Sequence, residues 1–266
     1  MKYGMMILSL EESDQRDINS LTKICKKINL DGVEIWLPSL TSLSWQYIKS
    51  IKDVLDESDL EVSMLTLTTD FVHPDEDVWR WNRSYLKMAA ELARRFETRI
   101  IRVTLHHHPA LSLQQAVRNA KARMREALRI AEDEDVVLAL ENHPGDIENH
   151  KAVLKEMFAT FDTERLKLNY DPANAFIVNE DPVSTLRELI GKVVHIHAKN
   201  CYVTEEGKFV AEPADIWKGN TDYRVLMSIL NEVGYDGFFS LQLAGQTPEQ
   251  SLKRSVTYLR ELERSL

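Results

Sequence analysis

Carboxylates, amides and imidazoles recur in this sequence where short apolar runs end. Glu34 lies in GVEIW. Thr68, Thr69 and Asp70 close EVSMLTLTT, with His73 just beyond. His106, His107 and His108 follow RIIRVTL, and Glu141, Asn142 and His143 follow VVLAL. Asn169, Asp171 and Asn174 close or follow LKLNYD. His195, His197, Lys199 and Asn200 lie in VVHIHAKN, and Ser240 and Gln242 in GFFSLQL. Of the eight histidines, only His150 is away from such an end. Oxygen and imidazole donors converging on one place are what a divalent cation requires.

Each of these residues also has a plainer reading. Glu141 ends an apolar run and would be buried, so a salt bridge to Lys199 or Arg102 would satisfy it. Asp171 precedes Pro172 and could cap a helix. His195 and His197, two apart, share a strand face, where either could be a hydrogen-bonded interior histidine. Neighbours on a strand alternate, so His106, His107 and His108 cannot all point inward, and a partly solvated loop accounts for them. Trp36, Trp79 and Trp81 could stack beneath a sugar or pack in the core.

The runs that position these groups alternate with stretches of helical period. Strands are expected at 3–8, 32–36, 61–69, 99–105, 136–142, 166–171, 193–200 and 237–243. Helices are expected at about 14–29, 43–57, 76–96, 114–132, 149–160, 182–189, 221–233 and 248–266, with an irregular segment at 201–219. Strict alternation implies parallel strands joined by right-handed crossovers. Eight such units in 266 residues fit a single closed (β/α)8 TIM barrel over 1–266. No GxGxxG follows the first run, which disfavours an open dinucleotide-binding sheet. In a barrel, chemistry sits at the carboxyl ends of the strands, where the polar residues fall.

Composition narrows the function classes. Lys and Arg number 33 against 42 Asp and Glu, a net charge of −9, and 44% of residues are hydrophobic. That is ordinary globular composition, and it argues against a general nucleic-acid binder. Cys25 and Cys201 are far apart with no CxxC, as expected for reduced thiols in a cytoplasmic protein. No apolar run approaches the roughly 20 residues of a membrane span. The first run is too short for a signal peptide and reads as a strand.

LALENHPG, LKLNYDPANAF, VVHIHAKN and GYDGFFSLQ, in that order, resemble the xylose isomerase-like TIM-barrel superfamily. More narrowly, the chain is similar to the sugar phosphate isomerase/epimerase group, which includes ketose 3-epimerases, hydroxypyruvate isomerases, and inosose isomerases and dehydratases, and is related to endonuclease IV. The similarity covers nearly the whole chain, and WKGNTDYRVLMSILNEVGYDG fits the approach to the last strand, with Gly219 as the turn glycine. The resemblance implies one divalent metal ion (Mn, Mg, Co or Zn) held by Glu141, Asp171 and His197. The fourth ligand position is Gln242, where the family has Glu, and the family's KD after strand seven is Lys199-Asn200. An amide oxygen can coordinate a metal, but it cannot exchange a proton.

The implied activity is that of a metal-dependent sugar or sugar-acid isomerase or epimerase acting through an enediolate. Glu141 would be ligand and general base, and Lys199 or a strand-four histidine would return the proton. His143, Asn174, His195, His106 and Trp36 would contact the substrate, a small-molecule sugar or derivative. A homodimer or homotetramer is expected, with no nucleic-acid or membrane partner. A sugar-acid dehydratase (a lyase) and a non-catalytic sugar-binding barrel are the alternatives, the latter because of Gln242. Nuclease action on abasic DNA is disfavoured by the net charge and by the lack of the spacing for a trinuclear zinc site.

Overall fold

The apolar runs form parallel strands whose side chains divide between two environments. In the computed structural model, which describes residues 1–9, 17–204, 209–211, 215–243 and 247–266, the strands are β1 (Lys2–Met6), β2 (Gly32–Trp36), β3 (Glu61–Thr66), β4 (Ile100–Val103), β5 (Val137–Glu141), β6 (Leu166–Tyr170) and β7 (Val193–Ala198). A short antiparallel hairpin, β8 (Tyr202–Val203) and β9 (Phe209–Ala211), follows, and β10 (Phe238–Leu241) is the eighth barrel strand. The barrel closes in the order β1-β10-β7-β6-β5-β4-β3-β2, all pairs parallel. It is a (β/α)8 TIM barrel, as the alternation implies.

Alternate strand residues, among them Val33, Ile35, Ile101, Val103, Leu138, Leu140, Leu168, Ile196, Phe239 and Leu241, join one hydrophobic core with the surrounding helices. Their neighbours, Glu34, Ser63, Arg102, Glu141, Asn169, His195, His197 and Ser240, are equally buried but polar. These meet across the barrel, as Ser63 Oγ and Ser240 Oγ do at 3.4 Å. A strand's period of two produces this division. Phe238 helps fill the interior on the side away from the mouth. A Cβ at Gly32 would stand 2.9 Å from its ring and 2.5 Å from Glu61 O, so only glycine fits there.

The helices are α1 (Ile18–Lys27), α2 (Trp45–Asp56), α3 (Glu76–Arg95), α4 (Leu113–Asp133), α5 (Lys151–Thr160), α6 (Pro172–Ile177), α7 (Pro182–Leu189), α8 (Tyr223–Glu232) and α9 (Glu249–Arg264). Several begin at an acidic or hydroxyl cap, and Ser112 and Gln115 form a reciprocal capping box on α4. Residues 14–16, expected at the start of the first helix, lie outside the described residues; α1 begins after its cap, Asp17.

Three expectations need correction. The strands at the mouth are shorter than the apolar runs, because side chains replace the ladder there. Thr69 and Thr104 bond each other's backbone reciprocally, Oγ1 to carbonyl at 2.9 Å both ways. Asn142 likewise donates to Asp171 O at 2.7 Å and accepts from Asp171 N at 2.8 Å. Second, α6 was not expected. Its six residues are too few for a period to show, although Asp171 at the cap and Pro172 at the first position signal its start. Third, the segment expected to be irregular, 201–219, contains the β8–β9 hairpin.

Candidate metal centre

β5, β6 and β7 bring Glu141, Asp171 and His197 together. One ligand atom from each lies within 4.8 Å of the others, and all three residues are buried. Glu141 ends β5, with Oε1 3.0 Å from His197 Nδ1. Arg102 Nη2 stands 2.5 Å from its Oε2, so the salt bridge to Arg102 is present within the same cluster. Asp171 Oδ1 accepts from the backbone N–H groups of Ala173 and Asn174 at the start of α6. Capping one helix with Oδ1 fixes the carboxylate and leaves Oδ2 without a partner among the described residues. Asn174 donates to Glu141 Oε1 at 3.3 Å.

Gln242 follows β10, its N–H donating to Ala198 O at 3.2 Å, so the ladder continues one residue past the strand. Alternation from Ser240 gives Gln242 the inward side. Its Oε1 is buried and unpaired. Asn169, Asp171, Asn174 and Gln242 thus each present an oxygen acceptor that no described group meets. Buried polar atoms are nearly always satisfied, so these unmet oxygens call for a donor or a cation. Two carboxylates, an imidazole and an amide oxygen form a mixed oxygen and nitrogen set suited to a divalent ion. The residues fit the metal.

The electrostatics are those of a dense buried network. Burial opposes ionisation of Glu141, but Arg102 and His197 outweigh it and hold the carboxyl well below its usual range. Burial also opposes a charged His197, yet Glu34 and Glu141 push its pKa up to about 10. Burial raises Asp171 to about 6, with Lys199 pulling downward and Glu141 upward.

The remaining expected residues fall in two places. His195 lies one layer further from the mouth than His197. It is fully buried, with Nε2 2.9 Å from Ser240 Oγ and 3.3 Å from Glu34 Oε2, which makes it an interior histidine. Trp36 ends β2, half-buried against the core. Trp79 is core, its Nε1 donating to Glu126, whereas Trp81 is 61% exposed and stacked on Tyr85. His106 and His143 are on the rim, 49% and 43% exposed, and each places Nδ1 near one oxygen of Asp146, at 3.2 and 3.0 Å. His107 is exposed and His108 half-exposed, meeting His73 edge-on. Lys199 is half-buried; its carbonyl accepts from Tyr223 Oη at 2.6 Å.

Four contributors carried no role in the sequence reading. Asn142 pins Asp171 by its amide pair, and Asp146 joins two rim histidines. Glu34, recognised only as a strand-two carboxylate, reaches His197. Asn200 accepts from Cys201 N and Thr221 N and donates to Ile216 O, so it organises the loop after β7. A Cβ at Gly219 would lie 2.3 Å from Asn200 Oδ1, which explains the turn glycine.

A closed (β/α)8 barrel with acid, imidazole and amide donors at the carboxyl ends of its fifth to eighth strands defines a class of protein. The chain matches the xylose isomerase-like TIM barrel family over residues 22–262 and belongs to it. It is 24% identical over 252 residues to an uncharacterized protein of Methanocaldococcus jannaschii, covering 91% of this chain and 83% of that one. Its structure is similar to that of a D-tagatose 3-epimerase-like protein, with TM-score 0.83 and 22% identity, covering 100% of this chain and 98% of the other. It is also similar to the probable 3-DHS dehydratase AsbF from Bacillus anthracis, with TM-score 0.82 and 19% identity, covering 98% and 99%. At these identities the two structures establish the fold. Among the described residues, no helix is long and apolar enough to cross a membrane.

Proposed function

We propose that this barrel is a divalent-metal-dependent enzyme that moves a proton on the carbon beside a carbonyl of a sugar or sugar acid, as an isomerase or epimerase. The observation that carries the reading is the convergence of Glu141, Asp171 and His197, with Asp171 Oδ2 unmet among the described residues and a second unmet oxygen on Gln242, which follows the neighbouring strand β10. These four residues would hold the ion. When bound, it supplies positive charge that polarises a carbonyl and stabilises charge developing on oxygen. Kinship of fold with an epimerase-like protein and a dehydratase supports proton chemistry on a polyol.

The chain's own residues narrow the reaction. Glu141 is the base, held ionised by Arg102 and His197. Gln242 cannot take or give a proton, so the pair of acids needed to work opposite faces of one carbon is incomplete. One base can carry a proton between adjacent carbons on the same face, which favours aldose–ketose isomerisation. One base assisted by an acid such as Lys199 can also eliminate water, and Gln242 makes dehydration the second reading. His143, His106, Asn174 and Trp36 are proposed to contact the polyol.

The test measures metal content of protein purified without added metal, then deuterium uptake from D2O beside the carbonyl across ketoses, aldoses and sugar acids. About one equivalent of metal per chain, metal-dependent exchange and loss of exchange in folded Glu141→Gln are expected. Exchange that survives Glu141→Gln, or a chain that binds no metal on titration, overturns the reading; inertness with metal bound would leave a sugar-binding barrel.

A further inference from the structure

His197 stands between two carboxylates. On one side Glu141 Oε1 is 3.0 Å from Nδ1; on the other, both oxygens of Glu34 are 3.1 Å from Nε2. Glu34 comes from the middle of β2 and is fully buried, and the proposed reaction does not use it. Burying a carboxylate is costly unless its oxygens are occupied. Here Thr66 Oγ1 donates to Oε1 at 2.6 Å, while Nε2 of His197 and of His195 approach Oε2 at 3.1 and 3.3 Å.

We propose that Glu34 is a positioning residue for the metal centre: it accepts the Nε2 proton of His197, turns Nδ1 toward Glu141 and Asp171, and supplies through the imidazole some of the negative charge that Gln242 does not. This rests on the reading of Glu141, Asp171 and His197 as ligands. The physical basis is general. A ligating histidine whose other ring nitrogen donates to a carboxylate is fixed in tautomer and orientation, and becomes a more basic ligand. Asn169 supports the orientation, its Nδ2 3.1 and 3.2 Å from the two ring nitrogens, which places the amide over the ring.

Glu34, His195 and His197 also bring ligand atoms within 4.8 Å of one another, so a second cation there is the competing idea. His195 argues against it. Its Nδ1 is buried with no partner among the described residues. If Nε2 bound a cation, Nδ1 would carry the ring proton into that unpaired position. With the proton on Nε2, the ring donates to Glu34 or Ser240, and the group left unmet at Nδ1 is an acceptor rather than an N–H donor, the rarer of the two in buried positions.

The experiment titrates Mn²⁺ and Zn²⁺ into metal-free wild-type protein, Glu34→Gln and Glu34→Leu, with melting temperature recorded for each. Glu34→Leu is expected to bind about 10–100-fold more weakly. Glu34→Gln keeps an acceptor but loses the charge and should fall between the two. In a Gln242→Glu background the Glu34→Gln loss should shrink, since the ligand set then has its own extra charge. The Co²⁺ absorption bands should shift in both Glu34 variants. Folded variants that bind as tightly as wild type, with unchanged Co²⁺ spectra, overturn the positioning role and leave the metal centre standing. Wild-type protein that takes up no cation overturns both. If Glu34→Leu does not fold, Glu34→Gln decides.

Discussion

Seven of the eight histidines of this barrel live in two settings. His195 and His197 are sealed inside, sharing the carboxylate of Glu34. His73, His106, His107, His108 and His143 line the rim, where they meet Asp146, one another or the surface. The residue type is the same; the supply of partners differs. A rim imidazole that loses a contact can turn to water. An interior one has only the groups the strands place beside it, so its neighbours must be specified.

The first way to break this comparison is to disturb the interior. Arg102→Met takes from buried Glu141 the stronger of its two cationic partners and is expected to cost about 3 kcal/mol in denaturant unfolding. Wild-type stability in that variant would mean that the interior tolerates loss of a partner as the rim does. Asp171→Asn removes a ligand charge and should weaken cation binding by at least about 100-fold in calorimetric titration. Gln242→Glu should act in the opposite direction, tightening the same titration by about 10-fold through one added charge.

Glu148, just inside the rim, sharpens the comparison through pH. It is fully buried, with Oε1 accepting from Leu105 N at 2.7 Å and Oε2 unpaired. Burial, with Asp146 adding, pushes its carboxyl well above the ordinary 4.5. Between those two values the folded chain keeps a proton that the unfolded chain has lost, so stability falls as pH rises. Its contribution is full below about pH 4.5 and is lost as pH passes through the folded value. Glu148→Gln cannot ionise, so its melting temperature relative to wild type should climb from pH 4 to pH 8. About 1 kcal/mol corresponds to roughly 2–4 °C in a chain of this size. A constant gap across that range would place Glu148 among the ordinary carboxyls. The smallest effect belongs to the rim proper: His107→Ala should leave cation affinity unchanged and stability within about 0.5 kcal/mol.

What could be read from the sequence follows the same division. The alternation of strands and helices was legible because burial imposes periods of two and 3.6. Burial marks out Glu141, because a charged group ending an apolar run must have a partner; Asp171 and His197 join it through the family resemblance of LNYDP and HIHAK, not through any local pattern. The run His106–His108 is as conspicuous in the sequence, yet it lies on a loop with His106 and His107 exposed and His108 half-exposed. Glu34 was visible as a residue, but its link to His197 joins strands 163 positions apart, and no local pattern encodes that. Asn142, Asp146 and Asn200 act by bridging groups in loops and at strand ends, which have no period. For α6 the cap was legible and the six-residue helix was not.

Closure between β1 and β10, with Lys2 opposite Phe238 and Met5 opposite Leu241, also bears on how the chain is made. While the protein is being synthesised, β1 can pair with β2 on one side only, and its other edge stays open until β10 emerges. An open strand edge is a template for pairing with another chain. Gln242 arrives on the segment that seals this edge. The event that ends the nascent chain's exposure to aggregation is therefore also the event that delivers Gln242, the fourth donor of the proposed metal centre.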